Sequence, residues 1–128
     1  MRTCAPVVLA ASFLLLGGCG VPTEPVACIA IAKAGVTVVV ADAATGEPLC
    51  DAAVTITSGA FQEVLHALPL SGSCSYSGAY ERPGVYMVAA TRSGYRGATA
   101  GPLTVEMSRE PCPHVINQSA TLLLERAP

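Results

Sequence analysis

The chain has 128 residues, enough for one domain of the usual size of about 100–150 residues and too few for two. Only 12% of the residues are charged, the net charge is −2, and the basic side chains beyond Arg2 (Lys33, Arg82, Arg92, Arg96, Arg109 and Arg126) are scattered along the chain. That pattern excludes the clustered positive face of a nucleic-acid-binding protein, and with 52% hydrophobic residues it describes a buried core under a sparsely charged surface.

In chain order the first feature is an uncharged run, Ala5 to Leu16, preceded by Arg2. A bilayer span needs about 20 apolar residues, so this shorter run reads as the apolar core of a signal peptide covering residues 1–18. Leu16-Gly17-Gly18-Cys19 follows at once and resembles a lipobox. A branched apolar residue stands three positions before a cysteine, and small residues lie between. The resemblance implies that cleavage leaves Cys19 as the mature N-terminus, with a diacylglyceryl group on its thiol and an acylated amine. Two or three chains, at about 0.8 kcal/mol per buried CH₂, give lasting membrane attachment. The expected partner is therefore a membrane, in a bacterial cell envelope. Gly20 stands where an aspartate would favour inner-membrane retention, which points to the outer membrane.

Residues 19–34 read as the lipidated cysteine and a tether, with the Pro-containing stretch Gly20 to Pro25 holding the domain off the membrane. Val36 to Asp42 is rich in β-branched residues and predicts a strand, ending in a turn through Gly46 and Pro48. Ala53 to Thr57 and Phe61 to Leu65 alternate apolar and polar residues around Ser58-Gly59, a hairpin pattern. Pro69 to Gly78 has loop composition, and Ala79 to Arg82 reads as a short extended piece before Pro83-Gly84. Val85 to Thr91 predicts a strong strand. Tyr95 to Ala100 and Leu103 to Met107 predict two more, split by Gly101-Pro102. After a loop over Ser108 to Pro113, the last strand lies within Val115 to Glu125. No segment downstream of Cys19 shows a helical period. About seven short strands in some ninety residues predict an all-β domain, a seven-stranded antiparallel β-sandwich with Greek-key connections.

Of six cysteines, Cys4 leaves with the signal and Cys19 takes lipid. Cys28, Cys50, Cys74 and Cys112 remain in a compartment that permits disulfides, and four cysteines allow three connectivities. Gaps of 22, 24 and 38 residues do not resemble the short-spaced thiolates of a zinc site.

The residues also resemble the carboxypeptidase-regulatory-like, or transthyretin-like (prealbumin-like), β-sandwich modules. The likeness is carried by Val38-Val-Val-Ala-Asp-Ala-Ala-Thr-Gly-Glu-Pro-Leu49 leading into Ala52-Ala-Val-Thr-Ile56, by Gly78 to Val88, and by Arg92-Ser-Gly-Tyr95. It covers roughly residues 35–125, and those motif residues are turn and packing residues rather than chemical ones. The resemblance implies an accessory module without catalytic residues of its own, although here no peptidase domain accompanies it. With the strands placed this way, the preferred disulfides are Cys28–Cys112 and Cys50–Cys74. The first ties the segment before the first strand to the loop before the last, and the second clasps the long loop to the start of the second strand.

Chemical candidates are few. His66 and His114 stand far apart and read as structural or surface histidines. Ser71 to Ser77 lacks a nucleophile elbow. Asp42, Glu47 and Asp51 lack the alternating ligands of a calcium loop and read as solvated turn carboxylates, and Glu81-Arg82 reads as a surface pair. Asn117-Gln-Ser119 fits a glycosylation sequon that a bacterium would leave unused. No catalytic residue, metal site or cofactor is expected. The expected function is a non-catalytic, lipid-anchored envelope module that is structural or contacts a protein or glycan, through Leu68 to Ser77 and Ser108 to His114. The alternative is a small hydrolase on a transthyretin-like fold, but the chain ends Glu125-Arg-Ala-Pro128 without the C-terminal Tyr-Arg-Gly-Ser type of tetrapeptide that such an activity uses.

Expressed in a bacterium, the wild-type chain is expected to take up labelled fatty acid and to partition into detergent, and Cys19→Ser to take up no label. Equal labelling of the variant would refute the anchor.

Overall fold

Period-two alternation of apolar side chains builds the molecule. The computed structural model describes Gly20 and residues 24–70 and 73–128; residues 1–18, read from the sequence as a signal peptide, and Cys19 lie outside the described residues. There are seven strands: β1 (Val36–Asp42), β2 (Ala53–Ser58), β3 (Phe61–Leu70), β4 (Ser73–Gly78), β5 (Gly84–Thr91), β6 (Ala98–Val105) and β7 (Gln118–Leu124). No helix is present among the described residues. The strands form one mixed sheet in the order β6-β5-β2-β3-β4-β1-β7.

The expectation of a wholly antiparallel arrangement is corrected at one place. β1 and β7 run parallel, from Val36 opposite Gln118 to Asp42 opposite Leu124, while the other neighbours are antiparallel. No hairpin imposes a direction on this pair, because the whole domain lies between the two strands in sequence and serves as the long crossover that a parallel pair requires.

Three element boundaries also differ from the sequence reading. Within Pro69 to Gly78 the described residues are strand rather than loop: β3 continues to Leu70, and β4, from Ser73, pairs with β3 on one side and with β1 on the other; Ser71 and Gly72 lie outside the described residues. Serine and glycine gave this stretch a loop composition, but Cys74 and Tyr76 alternate with serines and are buried, which is a strand period. Ala79 to Arg82 is a turn rather than an extended piece, with φ of 52° at Ala79 and 50° at Glu81. The two pieces around Gly101-Pro102 are a single strand, β6. Tyr86 pairs with Leu103 and Val88 with Ala100, so Met87 alone faces both Gly101 and Pro102. That extra residue is a β-bulge, and Pro102, having no N–H, occurs as expected on an edge strand.

The edges β6 and β7 approach each other and nearly close the sheet. At one end Arg96 N–H donates to Glu125 O (2.8 Å) and Ala127 N–H to Gly94 O (2.9 Å). At the other, Ser108 N–H donates to His114 O (2.7 Å) and Ile116 N–H to Glu106 O (2.8 Å). Inside lie Val36, Val38 and Val40 of β1, Val54 and Ile56 of β2, Val88 of β5 and Leu124 of β7, all fully buried. β3 spans the two halves of the sheet, pairing with β2 through Phe61–Leu65 and with β4 through His66–Leu70.

Tyr76 pins the long β1–β2 connection to this core. Its hydroxyl donates to Leu49 O (2.8 Å) and accepts from Ala52 N–H (3.0 Å), with the side chain 2% exposed. Burial pushes the phenol pKa up from its ordinary value, chiefly by desolvation, so it stays a neutral donor. Removing the hydroxyl leaves two buried backbone groups without partners, at about 1–3 kcal/mol each. Tyr76→Phe is expected to lower the unfolding free energy by about 2–4 kcal/mol, read as a lower urea midpoint at unchanged slope. A change below about 0.5 kcal/mol would mean that water replaces the hydroxyl.

Candidate functional site

Polar chemistry concentrates in two places, one inside the closing seam and one in a surface groove. The first is Asp42, the last residue of β1, whose side chain is 2% exposed. Its Oδ1 accepts from Ala44 N–H (2.8 Å) and Thr45 N–H (3.1 Å), which shapes the turn after β1. Its Oδ2 accepts from Tyr95 Oη–H (2.8 Å) and Arg126 Nε–H (2.9 Å). The Arg126 guanidinium, then the Tyr95 hydroxyl, hold the carboxyl well below the usual carboxylate range against the opposing cost of burial. The sequence reading of Asp42 as a solvated turn carboxylate is therefore corrected: the turn it caps is tied to the β5–β6 turn and to the C-terminal segment. Gly46 supports the same turn at φ 74°, where a side chain is strained.

The second place is a groove of about 450 Å³ lined by Cys28 to Ala32, Glu81, Cys112, Pro113 and His114. Cys28 and Cys112 are joined by a disulfide with Cα atoms 5.5 Å apart, and a second disulfide joins Cys50 to Cys74 with Cα atoms 5.3 Å apart. These are the two pairs preferred from the sequence. Beside the first, Glu81 works as a clasp. Its N–H donates to Lys33 O (3.0 Å), and its Oε1 accepts from Lys33 N–H (2.7 Å) and lies 2.6 Å from His114 Nδ1. Val115 N–H points at Oε2 (3.4 Å). His114, then the Lys33 N–H, lowers the Glu81 pKa. The surface pair expected between Glu81 and Arg82 does not form; Arg82 instead stacks on the Phe61 ring, 3.8 Å from its centroid.

Of the two segments expected to make contacts, Ser108 to His114 supplies Cys112, Pro113 and His114 to one wall of this groove. Leu68 to Ser77 instead contributes paired residues of β3 and β4, with Leu68 opposite Ser75. His66 is exposed on β3 opposite Ser77, remote in the pairing from the groove. Asp51 pairs with Arg92 at 2.6 Å, and Glu47 is exposed. Among the described residues no three His, Cys, Asp or Glu side chains converge, and the one ring contact of His114 is Glu81. Such a pair can orient an imidazole, but no hydroxyl or thiol is hydrogen-bonded to that ring among the described residues. The sequence reading named Asp42 and Glu81 but missed the partners Arg126 and His114, which lie 84 and 33 positions away, beyond the reach of any spacing pattern.

A further surface is set by β2, β3, β5 and β6. Its outward positions include Thr55, Thr57, Val64, Met87, Ala89 and Thr99, none of them charged, with Val64 55% and Met87 45% exposed. Compared with models of known protein families and with curated proteins, the chain matches none.

Three carboxyls lie below their ordinary values: Asp42, Asp51 and Glu81. A carboxyl with a depressed folded pKa adds stability that is complete above its unfolded value, 3.8 for Asp and 4.5 for Glu, and is lost as the pH falls toward the folded value. Stability is expected to be level above about pH 5.5 and to fall progressively below about pH 4.5. Asp42→Asn should make that acid limb shallower, measured as urea midpoints against pH. An unchanged limb in the variant would place the dependence on other groups.

Proposed function

We propose that this chain is a non-catalytic module of the bacterial cell envelope, anchored by lipid on Cys19 and acting by contact. The observation that carries the reading is the fate of the cysteines. All four that lie downstream of the lipobox and outside it are paired, as suits a chain that matures in an oxidising compartment. The anchor itself rests on the Leu16-Gly17-Gly18-Cys19 motif. In this reading residues 1–18 are removed, residues 19–34 join anchor to domain, and residues 35–125 form the module.

The finer fold reading is a transthyretin-like β-sandwich. Several features support it. In the order β2-β3-β4-β1, three consecutive strands are followed by the one that precedes them in sequence, as in a Greek key. Two residues of the motifs behind the likeness, Asp42 and Tyr95, also meet in a hydrogen bond. The contact surfaces of such a module are a groove wall at Cys112 to His114, facing the segment that leads from the anchor, and the uncharged sheet face around Thr55 and Met87. Both suit an envelope protein or a glycan.

The alternative, a small hydrolase, draws on the Glu81–His114 pair alone. Mature protein purified from bacterial membranes is expected to hold no stoichiometric zinc or calcium, to melt identically with and without chelator, and to turn over none of a panel of ester, amide and glycoside substrates. Turnover abolished by His114→Gln at an unchanged melting temperature would replace this reading with the hydrolase.

A further inference from the structure

The segment between the anchor and β1 is unusual for a spacer. Pro25 to Ala32 contains no charged or hydroxyl side chain, and Val26, Ile29 and Ile31 are 67%, 74% and 60% exposed. Solvated linkers are made of polar residues, so three exposed aliphatic side chains within six residues require a reason. The segment is also fixed in place. Cys28 is bonded to Cys112, and the clasp of Glu81 on Lys33 N–H and O holds its far end. A tight turn with Ile31 N–H donating to Ile29 O (2.9 Å) lies between them. The aliphatic side chains thus stand on a stapled ridge beside the groove, displayed from a domain whose core is already complete without them.

The distance to the anchor identifies what covers this ridge. Val26 lies seven positions after Cys19, and a fully extended chain covers at most about 25 Å over that length. The acyl chains on Cys19 would place its backbone at the headgroup boundary, so the ridge cannot leave the neighbourhood of the bilayer. We propose that Val26, Ile29 and Ile31 form a membrane-contacting ridge that seats in the interface between lipid headgroups and acyl chains. The proposal rests on the lipid-anchor reading. The domain then lies with one end against the bilayer instead of standing off it. Its groove opens at the lipid surface, and the acyl anchor and the ridge reinforce each other because the second contact is made within the same molecule.

The chain contains no tryptophan, so Ile29→Trp introduces a single environment-sensitive reporter at an exposed position. The lipidated mature variant would be reconstituted in phosphatidylethanolamine–phosphatidylglycerol vesicles, with Val64→Trp on the sheet face as the comparison. Acylation of Cys19 would be verified by mass. The expected result is a blue-shifted emission at position 29, at least halved by brominated acyl chains in the vesicles, with solvent-like emission at position 64. A double variant Ile29→Ser/Ile31→Ser, made in an unacylated Cys19→Ser chain that lacks residues 1–18, should bind the same vesicles at least threefold more weakly than that chain without the double substitution. Solvent-like, unquenched emission at position 29 in protein whose Cys19 is acylated overturns the ridge and leaves the anchor standing. Absence of acyl groups on Cys19 overturns both. A blue shift that persists without lipid and grows with protein concentration overturns the proposal in favour of a second copy of this chain as the occupant.

Discussion

Closure of the sheet depends on one buried carboxylate. Asp42 ends β1 beside the last residue of β7, where the chain must turn away, and it gathers donors from its own turn, from Tyr95 and from Arg126. An ionised group at this depth is tolerated only when its lone pairs are filled, and here all four donors are present. Because two of them come from the segments flanking β6 and β7, the charge holds the seam as well as the turn. Arg126 is itself mostly exposed, at 64%, so the ion pair adds little by Coulomb attraction through water. Its value lies in completing the shell of a carboxylate that has no access to solvent.

A second carboxylate does comparable work at the other end. Glu81 sits in a left-handed turn, a conformation that costs a residue with a Cβ about 1–2 kcal/mol, and it is held there by its N–H on Lys33 O and by its carboxylate, which accepts from Lys33 N–H. From that position one side chain reaches Lys33, His114 and Val115. The Cys28–Cys112 disulfide repeats the same connection a few residues further out. It closes a loop spanning 84 positions, for which chain entropy alone gives about 4.5 kcal/mol. The segment ahead of β1 is therefore bound to the domain twice, covalently and by hydrogen bonds, although it takes part in no strand.

That double attachment bears on function more than on folding. A core of valines, leucines, alanines, two tyrosines and an isoleucine is complete without residues 24–34, and nothing in the sheet requires them to be ordered. What the staple secures is the geometry of the groove and of the aliphatic side chains next to it. In the proposed lipid-anchored state, this is also the path along which any pull between anchor and domain would travel.

Much of this was legible in the residues themselves. Val36 to Asp42, the hairpin around Ser58-Gly59 and Val85 to Thr91 carry period-two patterns strong enough to name strands, because alternation follows from the pleat and needs no knowledge of neighbours. The disulfide pairs followed once those strands were in order. Ser73 to Gly78 was obscured because serine and glycine favour loops locally, while its strand comes from pairing on both sides with β1 and β3. The bulge that carries β6 through Gly101-Pro102 is likewise invisible without Met87 opposite. What the sequence alone determined was the all-β character and the inward face of each strong strand, both properties of local pattern, while the cysteine pairing was a preference among three connectivities that the structure bears out. Tertiary structure alone decided the parallel β1–β7 pair and the burial of Asp42, and it brought Glu81 to His114. Those depend on which distant segments become neighbours, and strand direction and charge burial leave no periodic mark in the chain.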